Sequence, residues 1–322
     1  MNIKISKKQA GKRLDILLTE AMPLANDKIK LSRSQIKKLI NENFILVNNK
    51  NITPHYNLKE NDTILINQPA EISISKKIKN TNIKLPKIKI IKETDAYLII
   101  NKPAHLAAHN APHIKEITLV DILLAKNPDL KKIGENPDRP GIVHRLDKEV
   151  SGIMVIPKTQ AFFDNIKNQF KERTVTKRYV ALVYGQIKKD DGEINFPISR
   201  ASGGHKMAAL PLSVNGKKNG QGRRALTEFK VIKKFINYTL LAVTIKTGRT
   251  HQIRAHLAAY GHPIVGDNLY STKKTRLLNK KLGVNRIFLV ANSLAFFDSM
   301  NNRQKFKIDL PKNLKEILKI IK

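Results

Sequence analysis

Apolar residues recur at helical spacing through Arg13-Leu14-Asp15-Ile16-Leu17-Leu18 and again from Leu31 to Ile40, which predicts two short helices. Ser32 or Ser34 can cap the second. Phe44–Lys50 then reads as a strand and turn, and Asp62–Ile66 as a closing strand, giving an ααβ…β order. From residue 93 the pattern changes to short apolar runs separated by turns. Ala96–Ile100, Gly152–Ile156, Arg178–Val183 and Thr239–Ile245 read as strands, whereas Thr159–Glu172 and Thr250–Tyr260 read as helices, the latter stopped by Gly261 and Pro263. These strands lie too close together for regular βαβ alternation. An α+β fold with a mixed, largely antiparallel sheet and attached helices is expected, and a Rossmann domain is not.

Between the two patterns, residues 71–92 carry seven Lys and one Glu, with Pro69 and Pro86 near the ends, the composition of a linker. The expected organisation is a small unit at 1–70, a linker at 71–92 and a larger domain at 93–322, in keeping with a 322-residue chain. Lys+Arg 60 against Asp+Glu 26 leaves a net charge of +34, so a polyanionic partner is expected. The lysines are scattered among Ile, Leu and Val, the texture of folded elements rather than of a disordered tail. Part of the Lys excess fits the codon usage of an A+T-rich genome, so the sign counts for more than the size.

Absence of Cys excludes disulfides, thiolate nucleophiles and cysteine metal sites, and points to a reducing, cytoplasmic setting. Met1–Ala10 lacks an apolar signal core, and no stretch approaches the roughly 18 apolar residues of a membrane span. With no Trp and 6% aromatics, RNA contact is expected to rest mainly on phosphate neutralisation. Arg13, together with Arg33, Lys37 and Lys38 on the second helix, could lie along a phosphate backbone or form an ordinary solvated face. The Val214–Arg224 segment, with three Gly among Lys and Arg, reads as a flexible basic loop.

The densest polar cluster in an apolar setting is Gly141–Gly152, containing His144-Arg145-Leu146-Asp147, immediately before a strand. A carboxylate there sits where a rigid sheet presents a loop. A kinase catalytic loop shares the His-Arg-Asp elements, but its Gly-rich loop and DFG segment are missing. His251 and His256 are five residues apart on one expected helix, which turns them to different faces, so no metal is expected.

His144–Gly152 resembles the HRLDxxxSG signature of the RluA family of pseudouridine synthases. Other landmarks follow in family order: Asn101-Lys102-Pro103, Lys177-Arg178-Tyr179, Thr247–His256 as TGRTHQIRxH, and Gly261–Tyr270 as GHPIxGDxxY. Residues 11–67 resemble the alpha-L RNA-binding motif. The resemblance covers nearly the whole chain and implies a pseudouridine-synthase fold, no cofactor, and isomerisation of uridine by cleavage of a C–N glycosidic bond and carbon–carbon rejoining. It implies Asp147 as the reacting carboxylate, either attacking the sugar or removing a ribose proton, Arg254 as its partner, and Ile253 beneath the base. Tyr179 would stack on the extruded uracil and help remove the C5 proton, and Arg145 would fill the gap left in the RNA stack. His144, Arg249, His251 and Gln252 would contact phosphate or order the loops. Departures are His105, where many relatives have Gly and the local backbone is expected to differ, and Val290-Ala291-Asn292 in place of Leu-His-Ala.

The expected substrate is large-subunit ribosomal RNA or its assembly intermediates, met by a monomer without a membrane. Pro140–Lys148 and Glu193–Arg200 look more like the synthase D branch of the family than the synthase C branch. A ribosome-assembly factor that binds RNA without chemistry, and a synthase acting on transfer RNA, are the alternatives.

Overall fold

The computed structural model describes residues 2–21, 33–67, 86–110, 116–204, 206–214, 217–218 and 221–321. Two compact units result, Met1–Asn82 and Ile83–Lys322. The first contains β1 (Asn2–Lys4), α1 (Leu14–Ala21), α2 (Arg33–Asn41), β2 (Ile45–Val47) and β3 (Thr63–Ile66), with the antiparallel sheet order β1-β3-β2. The helical spacing read from the sequence places Leu14, Leu17, Leu18, Ile36 and Ile40 in one buried cluster with Ile45, Val47 and Ile64. Asn48 and Asn49 take φ values of 51° and 58° in the turn after β2, a left-handed conformation that Asn tolerates. Asn48 also ties the turn to β3, accepting from the Thr63 amide at 2.9 Å and donating to Asp62 at 2.8 Å. The expected cap Ser32, the 71–85 part of the linker and Gly216 and Gly220 lie outside the described residues.

The second unit runs β4 (Lys89–Glu93), β5 (Tyr97–Lys102), α3 (Leu119–Lys126), a 3-10 turn at Pro128–Lys132, β6 (Ser151–Pro157), α4 (Gln160–Glu172) and β7 (Thr176–Tyr184). It continues with β8 (Asp191–Ile194), β9 (Ile198–Arg200), β10 (Met207–Ala209), β11 (Ser213–Val214), β12 (Lys217–Lys218), β13 (Thr227–Lys234) and β14 (Tyr238–Ile245). Last come α5 (Gln252–Ala259), α6 (Lys273–Lys281), β15 (Leu289–Phe297), β16 (Arg303–Lys307) and α7 (Lys312–Ile320). The main sheet has the order β4-β5-β6-β15-β7-β14-β13-β8, with β16 also paired to β15. Only β6 and β15 pair in parallel, so the sheet is mixed and largely antiparallel. No helix among the described residues is long and apolar enough to cross a membrane.

The linker reading of 71–92 needs correction at its end. Residues 89–93 form β4, an edge strand on β5 whose Lys89, Lys92 and Glu93 are exposed. Charged side chains protect a sheet edge from further pairing, and the same composition imitates a linker. Within the sheet, α4 is capped by Thr159, whose hydroxyl accepts from the Phe162 amide, and buries Phe162 and Ile166 against Tyr97, Val155 and Phe296. This core fixes β5 and β6, whose ends carry the polar cluster of the sequence.

His105 takes φ +63°, the left-handed conformation that Gly adopts without strain. His at this position therefore holds a conformation that favours Gly. His105 is exposed, so His105→Gly is expected to relieve about 1–2 kcal/mol of strain, less the added freedom of Gly in the unfolded chain. A net stabilisation of about 0.5–1 kcal/mol should appear in urea melts.

Candidate active site

Segments carried by three strands of the main sheet converge on one cavity of about 360 Å³. The Gly141–Val150 loop leads into β6, Tyr179 stands on β7, and β14 passes through Thr247–His251 into α5, which carries Ile253 and Arg254. Gly152 makes the join between loop and sheet possible. It faces Ala291 on β15 with φ +139°, and a Cβ there would lie 2.3 Å from the Ala291 carbonyl oxygen. The departure at Val290-Ala291-Asn292 falls on this crossing, where β15 also breaks register against β7.

The helix expected from Thr250 starts at Gln252, because His251 takes φ 53° at the N-cap and turns the chain toward the cavity. Gln252 then clamps the turn. Its amide oxygen accepts from the Thr247 hydroxyl at 2.7 Å and the Arg249 amide at 3.1 Å, while its nitrogen donates to the Leu226 carbonyl and Thr227 hydroxyl. His144 is similarly committed: Nε2 accepts from the Val155 amide at 3.1 Å and the ring stacks on Phe170 with centroids 4.8 Å apart. Both residues line the cavity, with the Gln252 amide and His144 Nε2 bonded to the protein.

Burial, assisted by the nearby Lys177 charge, lowers the His144 pKa from 6.5 to about 3. Unfolding frees this ring to take a proton, so between pH 6.5 and 3 the unfolded chain binds more protons and native stability falls with pH. The stability advantage of the wild type over His144→Gln is expected to shrink as urea melts are taken from pH 7 to pH 4.

Arg254 is the centre of the charged network. Its Nε and Nη2 donate to the two oxygens of Asp267 at 2.8 and 2.9 Å, a bidentate pair with both side chains buried. That leaves Nη1, which lies 3.2 Å from Asp147 Oδ2 and 3.4 Å from Glu149 Oε2. Burial opposes the guanidinium charge, but the Asp267 hydrogen bonds and charge, with the charges of Asp147 and Glu149, together hold the group above its ordinary range. Asp267 is itself fixed by the Leu269 and Tyr270 amides, which donate to Oδ1 at 2.9 and 3.1 Å. The Tyr270 ring lies 5.4 Å from the Arg254 guanidinium carbon.

His251 Nε2 stands 3.8 Å from Asp147 Oδ2, and Nδ1 is 3.2 Å from the Tyr270 hydroxyl. That hydroxyl also accepts from the Met207 amide at 2.9 Å. Burial lowers the His251 pKa more than Asp147 raises it, favouring the neutral ring. Tyr179 lies in the cavity wall, and burial together with the Asp147 charge pushes its phenol well above the usual value. It is a neutral phenol near pH 7. Ile253 is buried in the same wall, whereas Arg145 is exposed at the cavity with Nη1 3.4 Å from His109 Nε2. Arg249 also lines it and donates to the Arg224 carbonyl at 3.3 Å.

Sequence reasoning missed Asp267, Glu149, Lys102 and His109 as site residues. Lys102 is fully buried, donating to the carbonyls of Pro103, Leu106 and Lys148 at 2.9, 2.7 and 3.4 Å. It thereby ties the end of β5 to the Asp147 loop, and burial brings its pKa down to about 7 despite the opposing pull of Asp147 and Glu149. Asp267 and Lys102 stand inside the landmark motifs, as a carboxylate and a cation in apolar surroundings. That was the available signal.

In the N-terminal unit, Asp15 is buried and gathers Arg13 and Arg33 at 3.0 Å and Lys37 at 3.6 Å, with Arg13 also touching His55. Burial alone would raise the Asp15 pKa, but hydrogen bonds from Arg33 and Arg13 bring it down to about 2. The expected basic face is thus ordered around one carboxylate that leaves it net positive. The Lys38 side chain lies outside the described residues.

The cavity is walled by an Asp–Arg pair, a Tyr and an Ile on a mixed sheet, and comparison with known proteins specifies the class. The RNA pseudouridylate synthase family model matches residues 96–259, and the S4 domain model matches residues 12–64. An uncharacterized RNA pseudouridine synthase of Aquifex aeolicus is 37% identical over 311 residues, covering 95% of this chain and 92% of its own. Ribosomal large subunit pseudouridine synthase D of Blochmanniella floridana is 34% identical, covering 98% and 96%. Ribosomal large subunit pseudouridine synthase C of Vibrio parahaemolyticus is 31% identical, covering 93% and 89%. Among solved structures, human RNA pseudouridylate synthase domain containing 4 shares the fold with a TM-score of 0.58 at 24% identity, over 71% of this chain and 91% of that one. The chain belongs to the RNA pseudouridine synthase family and carries an N-terminal S4 RNA-binding domain.

Proposed function

We propose that this synthase isomerises uridines of large-subunit ribosomal RNA in the cytoplasm, with Asp147 as the reacting carboxylate. The observation that carries the reading is the Arg254 network, in which Asp267 takes two donors and leaves Nη1 toward a carboxylate that faces a nucleoside-sized cavity. The reaction redistributes atoms within one nucleotide. The C1′–N1 bond breaks, the uracil turns, C1′ joins C5, and the C5 proton is lost while N1 gains one. Asp147 serves either by adding to C1′ or by taking the C2′ proton, and both routes require its charge.

Ile253 and Tyr179 form the apolar walls for the uracil ring, Tyr179 as a neutral phenol, and Arg145 at the mouth fills the stack vacated by the base. Arg13, Arg33 and Lys37 supply phosphate contacts that add affinity and salt dependence. The names of the Blochmanniella and Vibrio relatives support the ribosomal target. A binding-only assembly factor has no need of a carboxylate held against a buried arginine inside a cavity. The test is tritium release from RNA labelled at uridine C5, comparing large-subunit RNA with small-subunit and transfer RNA. Release from large-subunit RNA alone is expected, and release confined to transfer RNA would overturn the assignment.

A further inference from the structure

The Asp147 cavity is not isolated. A second concavity, of about 230 Å³, shares a wall of Phe170, Lys177 and Arg249 with it and extends along Lys171, Arg173 and Lys246. Five cations line this space and no carboxylate does. Lys246 is paired with Glu228 at 3.3 Å, but Lys171, Arg173 and Lys177 have no carboxylate partner among the described residues. Lys177 Nζ lies 5.4 Å from the centre of the Phe170 ring, and burial brings its pKa down to about 8. Clustered like charges repel one another across a concave surface unless an anion enters it.

Arg173 adds an independent observation. It ends α4 with φ +64°, a left-handed cap where glycine is the unstrained residue. A long cation is thus held toward the concavity at a position where backbone preference favours no side chain.

We propose that this second concavity binds a backbone phosphate of the RNA strand that presents the uridine, with Lys171, Arg173 and Lys177 as its contacts. The inference rests on the function proposed above: a nucleotide turned into the Asp147 cavity stays tethered through phosphates on both sides. An anion must therefore lie beside the cavity, and the shared wall gives it a place. Arg249, on both walls, spans the base site and the phosphate site.

The test uses the full chain and oligouridylate, with affinity followed by fluorescence anisotropy across a KCl series. The double variant Lys171→Ala/Arg173→Gly is expected to bind several-fold more weakly than the wild type, and its salt slope should fall by about 0.7 for each phosphate it no longer neutralises. Lys305→Ala/Lys307→Ala removes the same charge from exposed positions on β16 and should keep most of the slope. Arg173→Gly alone should melt at or above the wild-type temperature, which separates a missing cation from a failure to fold. Equal slopes for the two double variants would overturn the proposal. So would inorganic phosphate binding that the first variant abolishes while oligouridylate affinity is unchanged, since that assigns the cavity to a free anion. Pseudouridine formation by the wild type is scored separately, so failure of the functional reading leaves this comparison intact.

Discussion

Asp147→Asn is expected to reduce isomerisation by about 10⁴-fold or more, the scale seen when the single reacting group of an active site is removed. The substitution keeps shape and removes charge. It leaves Arg254 with the bidentate Asp267 pair and Glu149 at 3.4 Å, so no buried guanidinium is orphaned and the fold should hold. RNA affinity should change little, because the cations that meet phosphate are elsewhere. Single-turnover conversion with an unfolding curve on the same sample checks both halves. Retained conversion would move the chemistry to another group.

Asp267→Asn should act in the opposite way, through stability first. Asp267 is buried, accepts two hydrogen bonds from Arg254 and two from the backbone of its own turn, and has no solvent to replace them. Breaking a buried pair at one partner costs about 3–5 kcal/mol when the remaining charge is left unpaired, and here Asp147 and Glu149 at Nη1 offset only part of the loss of both Nε and Nη2 partners. An Asn at this position can still accept at one oxygen, but it faces a guanidinium with an amide nitrogen. Arg254 should turn from Asp147, and activity should fall even in the fraction that stays folded. A large loss of stability in urea together with abolished conversion is expected. Normal stability would mean that Arg254 is held by Asp147 and Glu149 alone.

The contrast between these two variants shows what could be read from the chain. Strands such as β5, β6, β7 and β14 were legible because short apolar runs rich in Ile, Val and Leu between turns have few alternatives, and α4 because Thr159 caps a helical pattern. The meeting of Asp147, Tyr179 and Arg254 at one cavity was legible through ordered motifs, although 107 residues separate Asp147 from Arg254. Asp267 was not, because its effect lies in a bidentate geometry that spacing does not encode. Lys102 was hidden for a related reason: a lysine between Asn and Pro gives no sign that three carbonyls will close around it. The edge strand β4 reads as linker, since lysines that guard an edge and lysines that solvate a linker look alike in sequence.

Mapping pseudouridines across the large-subunit ribosomal RNA of a host that lacks this protein, complemented with wild type or with Asp147→Asn, tests the central claim most directly. Discrete sites should appear with the wild type and be absent with Asp147→Asn expressed to the same level. The same sites restored by Asp147→Asn, or an unchanged map with the wild type, would contradict it.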